Sequence, residues 1–252
     1  MKRAIFLFYL LVALSSSVNA QTPKELWTNA NNFYSKAQYA DALQSYLKIE
    51  ESGYASESLF YNLGNCYFKI NEIGKSILYY ERALKLNPSD QDLLNNLSLA
   101  KDFSLDKIEE VPDFILKTWI EDINYSFSSD TWSYFTLLFF AAMALLLLNF
   151  RFGLSSRLRK ISFFLAMASL LLGFVAGYFS LSQKYRYSLK NTAIVMKPVS
   201  TVRSSPDDSG KSLFILHEGT KLELLEEIGE WKRIELADGR QGWITSLDIE
   251  VI

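Results

Sequence analysis

Apolar residues are distributed along this chain in three different patterns. Residues 131–150 and 161–182 are apolar almost throughout and carry no charge. About 20 such residues cross a bilayer core as a helix, and an ordinary buried helix would show a polar face that these lack. Residues 4–14 form a shorter apolar run. Between residues 23 and 102 apolar positions recur at helical spacing, which predicts amphipathic helices. Phe114, Ile115, Trp119, Ile123 and Phe127 continue that spacing within residues 104–130. Residues 191–252 switch to short alternating runs, at 221–225 and 231–236, with Asp238-Gly239 as a hairpin turn. Alternation with frequent turns predicts short strands closing into a small barrel.

The first apolar run follows Lys2 and Arg3 and precedes Val18-Asn19-Ala20. A positive start, an apolar centre and small residues at the end predict a signal peptide over residues 1–20, with an uncleaved anchor as the alternative. Arg151, Arg157, Arg159 and Lys160 crowd the loop 151–160, which places that loop in the cytoplasm. Lys184, Arg186 and Lys190 on the other side weaken the bias, but the signal peptide gives the same orientation. Both soluble parts are then expected outside the cytoplasm. In the second span Ser169, Gly173 and Gly177 are four residues apart, a spacing that permits close helix contact. Packing on Ala141, Ala142 and Ala144 of the first span is preferred to a homodimer. Residues 104–130 are expected as a juxtamembrane amphipathic segment at the outer interface, where Trp119 and Tyr125 suit the headgroup layer. Packing against the helical region is the alternative.

"LWTNANNFYSKAQYADALQSYLKIEES" aligns with "FYNLGNCYFKINEIGKSILYYERALKL" at a period of 34: Ala30 with Gly64, Phe33 with Tyr67, Ala42 with Ser76, Tyr46 with Tyr80. Period and content resemble the tetratricopeptide repeat (TPR). Repeats of about 23–56 and 57–90 and a capping helix at 91–102 make up an expected TPR domain over 21–103, with Pro88 ending the second repeat. Carrying the family's concave positions onto this chain selects Trp27, Thr28, Asn31 and Tyr34, then Tyr61, Asn62, Asn65 and Phe68, then Asn95, Asn96 and Leu99. Asparagines offer donors and an acceptor to an extended peptide backbone, and aromatics add contact area. Solvated helix surface is the equally weighted alternative for the asparagines. Asn31 and Asn62 match two asparagines of the family's carboxylate clamp. Trp27, Asp92 and Asn96 stand where its cations would be, which speaks against a clamp.

In the last segment "VRSSP", "HEGTKLEL", "GEWKRIEL" and "GRQGWI" resemble the bacterial SH3 family in order and spacing. Trp231 and Trp243 are its groove candidates, with Trp243 expected partly in the core. The order of signal, TPR, paired spans and SH3, with "DKIE" and "SSDTW" before the first span, resembles the BatE-type proteins of the Bat (Bacteroides aerotolerance) operon. The expected fold is a multidomain membrane protein: an all-α TPR solenoid, a two-helix transmembrane hairpin and an all-β SH3-like barrel. The resemblance implies the bacterial inner membrane, with von Willebrand A-domain proteins as partners in envelope function or stress tolerance.

Charge and chemistry narrow the function. Residues 21–110 carry 9 Lys and Arg against 13 Asp and Glu, and residues 191–252 carry 7 against 11. This acidic balance offers no field for nucleic acid. One cysteine, Cys66, and one histidine, His217, supply too few ligands for zinc, and no cofactor is expected. Cys66 and His217 fall in different domains, so no nucleophile–base pair is expected and the chain reads as a non-enzyme. Cys66 fills a TPR position where a small residue is usual. An adaptor binding membrane or periplasmic proteins through the TPR groove is the preferred reading. A cell-wall sensor binding peptidoglycan through the SH3 segment is the alternative. The lipid bilayer is a partner in both.

Overall fold

A computed structural model describes residues 22–108, 114–189 and 191–252. The signal peptide expected over residues 1–20 lies outside them. The chain divides into two units, Met1–Tyr54 and Ala55–Ile252.

The first unit holds α1 (Pro23–Ser35) and α2 (Tyr39–Glu51). Thr22 starts α1. Its hydroxyl accepts from Glu25 N at 3.3 Å, while Glu25 Oε2 accepts from Thr22 N at 2.9 Å. This reciprocal pair satisfies donors that the helix start leaves free. Ala30 and Ala42 are fully buried between the helices, with Leu26, Tyr46 and Ile49 around them.

The second unit opens with α3 (Glu57–Lys69), α4 (Ile73–Leu86) and α5 (Gln91–Asp102). Gly64 sets how closely α3 and α4 approach. A Cβ there would lie 2.6 Å from two ring carbons of Tyr80, well inside van der Waals contact. Ser76 Oγ donates to Gly64 O at 2.9 Å from the facing helix. Both hairpins turn by one device. Ala37 (φ 59) and Asn71 (φ 66) are left-handed. The residue after each returns its N–H to the preceding helix, Gln38 to Phe33 O and Glu72 to Tyr67 O, both at 2.9 Å.

The two apolar blocks become α7 (Ser129–Phe152) and α8 (Ser156–Ser188), each long and apolar enough to cross a membrane. At 24 and 33 residues, they span about 36 and 50 Å at 1.5 Å per residue. The small-residue face of α8 packs on α7. Ser169 Oγ donates to Phe139 O at 2.7 Å, and a Cβ on Gly173 would make ordinary contact with Phe139. Asn149 bonds Ser162 near the loop end, and Ser129 and Ser133 bond Ser180 at the other. These bonds satisfy the polar groups inside the helix pair. A short helix, α6 (Ile115–Tyr125), precedes the hairpin.

The C-terminal segment forms β1 (Thr192–Val195), β2 (Val199–Arg203), β3 (Ser212–His217), β4 (Lys221–Ile228), β5 (Trp231–Glu235), β6 (Gln241–Thr245) and β7 (Ile249–Val251). They make one antiparallel sheet in the order β3-β2-β6-β5-β4-β1-β7. Asp238-Gly239 turns between β5 and β6 as the sequence predicts, with Gly239 at φ 85. Val195, Val202, Leu216, Leu222, Ile234 and Ile244 form the centre of its core.

Candidate functional site

The helical site candidates are held by a bond pattern that repeats with the sequence. In the first unit Tyr46 Oη donates to Asn31 Oδ1 at 2.5 Å, and the Trp27 ring meets Tyr46 edge-on at 5.4 Å. Thr28 Oγ1 is spent on Lys24 O at 3.0 Å, and Tyr34 packs on Tyr39. In the second unit Tyr80 Oη donates to Asn65 Oδ1 at 2.7 Å. Asn96 Nδ2 reaches both Asn65 Oδ1 at 3.1 Å and Tyr61 Oη at 2.9 Å. Phe68 meets Phe103 edge-on at 5.5 Å. The structure therefore brings Tyr61, Asn65 and Asn96 into one polar cluster, with Asn65 as its acceptor. Asn95 is exposed and bonded by Gln91 Nε2 at 3.2 Å. Asn62 is half-buried, and its amide has no hydrogen bond among the described residues. Leu99 is 48% exposed. So Asn31 and Asn65 orient the tyrosines of their own repeats, whereas Asn62 is half-buried and Asn95 and Leu99 lie exposed, outside that bond pattern.

Cys66 is buried in this packing, and burial pushes its thiol up to about 12. At neutral pH almost none is thiolate, the reactive form.

In the β segment strand alternation decides the two tryptophans. Gly242 and Ile244 point into the core, so Trp243 between them points out and is half-buried. It does not join the core cluster, contrary to the expectation for it. Trp231 pairs with Thr245, and Arg233 and Arg203 both pair with Trp243. Trp231 and Trp243 thus share the outer face of β5 and β6 as diagonal neighbours, a spacing aromatics can bridge.

Sequence comparison accords with both geometries. Residues 58–90 match the tetratricopeptide repeat family and residues 199–250 match the bacterial SH3 domain family. The chain contains a TPR and a bacterial SH3 domain. Among curated proteins it is similar to "Photosystem I assembly protein Ycf3" of Cyanophora paradoxa, 35% identical over 68 residues. That stretch is 26% of this chain and 39% of the relative, so the chain spans well under half the relative's length.

The TPR and SH3 domains also meet directly, through contacts the sequence did not disclose. Glu81 of α4 is 5% exposed. Lys221 Nζ of β4 lies 2.6 Å from its Oε2, and Lys101 Nζ of α5 lies 3.2 Å from its Oε1. Burial pushes the Glu81 carboxyl up, but the ammonium groups of Lys221 and Lys101 outweigh it and hold it below its usual range. Arg82 pairs with Glu250 at 2.7 Å. Lys85 Nζ donates to Leu189 O at 2.6 Å and Ile252 O at 2.8 Å, tying the two ends of the SH3 segment to α4. Residues 103–108 form a strap between the domains. Asp106 Oδ2 accepts from His217 N at 2.7 Å and from Thr220 Oγ1 at 2.6 Å, and its Oδ1 lies 2.8 Å from His217 Nδ1. Burial raises the Asp106 carboxyl, and these bonds, Thr220 first, lower it further than that. Ile108 packs on the SH3 core. Residues 104–108 therefore belong to this junction, not to the amphipathic segment in which the sequence pattern placed them. Gly219 closes the contact: a Cβ there would sit 2.9 Å from Ile77 Cδ1.

Proposed function

We propose that this protein is a membrane-anchored, non-catalytic adaptor whose TPR and SH3 domains act together on one side of a membrane. The observation that carries this reading is the junction. Two domains joined by a buried carboxylate between two lysines, and by the Asp106 strap, occupy one compartment. A hairpin of two spans between them returns the chain to the side it left. The basic loop 151–160 then faces the cytoplasm and both domains face the periplasm, after a signal peptide over residues 1–20. The buried Cys66 and the Asp106-bound His217 serve structure, which supports a non-enzymatic reading.

Domain order further supports a BatE-type component of the Bat system, acting with von Willebrand A-domain membrane proteins in envelope function or oxygen tolerance. The similar Cyanophora protein is named for assembly, which suits a scaffold. Photo-crosslinkers at Asn62 and Leu99, in cells, test the groove. Adducts to a membrane or periplasmic protein support it, and adducts equal to those from exposed Lys36 refute it. The outward pair Trp231 and Trp243 favours one second reading, peptidoglycan binding. Co-sedimentation of the detergent-solubilised chain with purified cell wall, abolished in Trp231→Ala, would establish it.

A further inference from the structure

Asn124 fixes α6 to both long apolar helices at one level. It is buried. Its backbone oxygen accepts from Trp132 Nε1 of α7 at 2.8 Å and from Gln183 Nε2 of α8 at 2.6 Å, and its Nδ2 donates to Ser182 Oγ at 3.1 Å. Trp132 follows two residues after Asp130, and Gln183 directly precedes Lys184. Those are the charges that end the two apolar blocks on this side. From Ile161, where its block starts, to Gln183, α8 rises about 33 Å, close to the roughly 30 Å of a hydrocarbon core. Asn124 therefore stands at the level where such a core would end.

At about 100° per residue, α6 presents three faces. Asn124 and Glu121 turn to α8, where Arg186 lies 2.8 Å from Glu121. Thr118 and Asp122 form a second face, exposed and polar. Ile115, Leu116, Trp119 and Ile123 fall within about 100° of arc and are 55–67% exposed. Phe127, just beyond α6, carries this third face on to the hairpin. Its ring meets Trp132 at 5.4 Å and Phe135 at 5.3 Å, both edge-on. The uncovered face is thus continuous with the apolar surface of α7.

We propose that this face inserts into the headgroup–acyl boundary of the bilayer, a reading that rests on the hairpin crossing that bilayer. Trp119 suits the boundary, and an amphipathic helix there buries its apolar side about 5–10 Å deep. The insertion is independent of lipid charge. Helices drawn to anionic lipid are rich in Lys and Arg on their polar side, whereas α6 sets Lys117 against Glu121 and Asp122. α6 then acts as a fixed collar, because Asn124 ties its insertion to the depth of both spans.

Single cysteines carry nitroxide labels in the full chain, held in dioleoyl phosphatidylcholine nanodiscs with or without dioleoyl phosphatidylglycerol. Native Cys66 is buried, and wild type gives the background. Collision with oxygen, which partitions into lipid, is compared with collision with a water-soluble nickel chelate. Oxygen is expected to dominate at Leu116→Cys, Trp119→Cys and Ile123→Cys, and nickel at Thr118→Cys and Asp122→Cys, alike in both lipid mixtures. All five positions are exposed, so the substitutions leave the helix packing in place. Nickel dominating at the three apolar positions, or both reagents excluded there by covering protein, overturns the proposal. An oxygen pattern confined to phosphatidylglycerol overturns its charge independence. Leu171→Cys, midway along the apolar block of α8, tests the bilayer reading separately. Nickel access at 171 refutes that reading, whereas oxygen at 171 with nickel at 119 refutes the collar alone.

Discussion

Gly64 admits no side chain, because the Tyr80 ring already occupies the space. Gly64→Ala should therefore lower stability by about 1–3 kcal/mol, the usual cost of overpacking, read as the unfolding midpoint of the purified chain. Ala37 is the reverse case. It sits left-handed where its partner 34 residues on is Asn71, a residue that tolerates this conformation. Ala37→Asn should stabilise by up to about 1 kcal/mol, and a lower midpoint would refute the strain. Cys66 should resist maleimide in the folded protein up to pH 10, since it is buried and burial pushes its thiol up to about 12. Cys66→Ala should leave partner capture intact in pull-downs. The sequence period made Gly64, Ala30 and Cys66 legible as packing positions, because repeats conserve the size of a helix crossing. The asparagines were half-legible. Asn31 with Tyr46 and Asn65 with Tyr80 recur at the same period, and that joint recurrence signals bonded pairs. Periodicity alone reports position on a face and is silent on which bond a side chain makes.

At the scale of elements, the helical pattern located the helical regions, and alternation located β4 and β5 with the turn after them. The helices α7 and α8 outrun their apolar blocks, and in those extensions arginine, lysine and glutamine continue a helix about as well as leucine does. The strap at residues 103–108 was invisible, since its partners lie more than a hundred residues away along the chain. One clue existed. Glu81 interrupts the buried face carrying Ile77, Leu78, Tyr80 and Ala83, and a charge there calls for a partner. Glu81→Gln should weaken the junction by on the order of 2 kcal/mol, below the full cost of breaking a buried pair because both lysines are half-exposed. Faster hydrogen exchange at residues 217–221 would show it. The pH dependence has a defined sign. The folded carboxyl lies below its ordinary value of 4.5. Its stabilisation is then full above that value and is lost as pH falls through the lower folded value. Glu81→Gln should remove this acid limb from a stability–pH curve.

For the whole molecule, orientation is the decisive question. A Ser155→Cys variant reports it cleanly, because native Cys66 is buried. Under the proposed topology an impermeant maleimide labels position 155 only after the inner membrane is opened. Labelling of intact spheroplasts would invert the topology and leave the junction standing.

Under the proposed topology, the junction also governs how the chain is made. Asp106 leaves the ribosome long before His217 and Thr220, and two long apolar helices are synthesised in between. Glu81, buried beside the β domain, acquires Lys221 only when that domain arrives on the same side. A molecule whose second helix failed to cross would strand residues 191–252 behind the bilayer and leave Asp106 without His217 and Thr220. Under that topology, insertion is proofread by a salt bridge: only a properly threaded hairpin completes it, and an incompletely threaded one presents a loosened repeat cap to proteases.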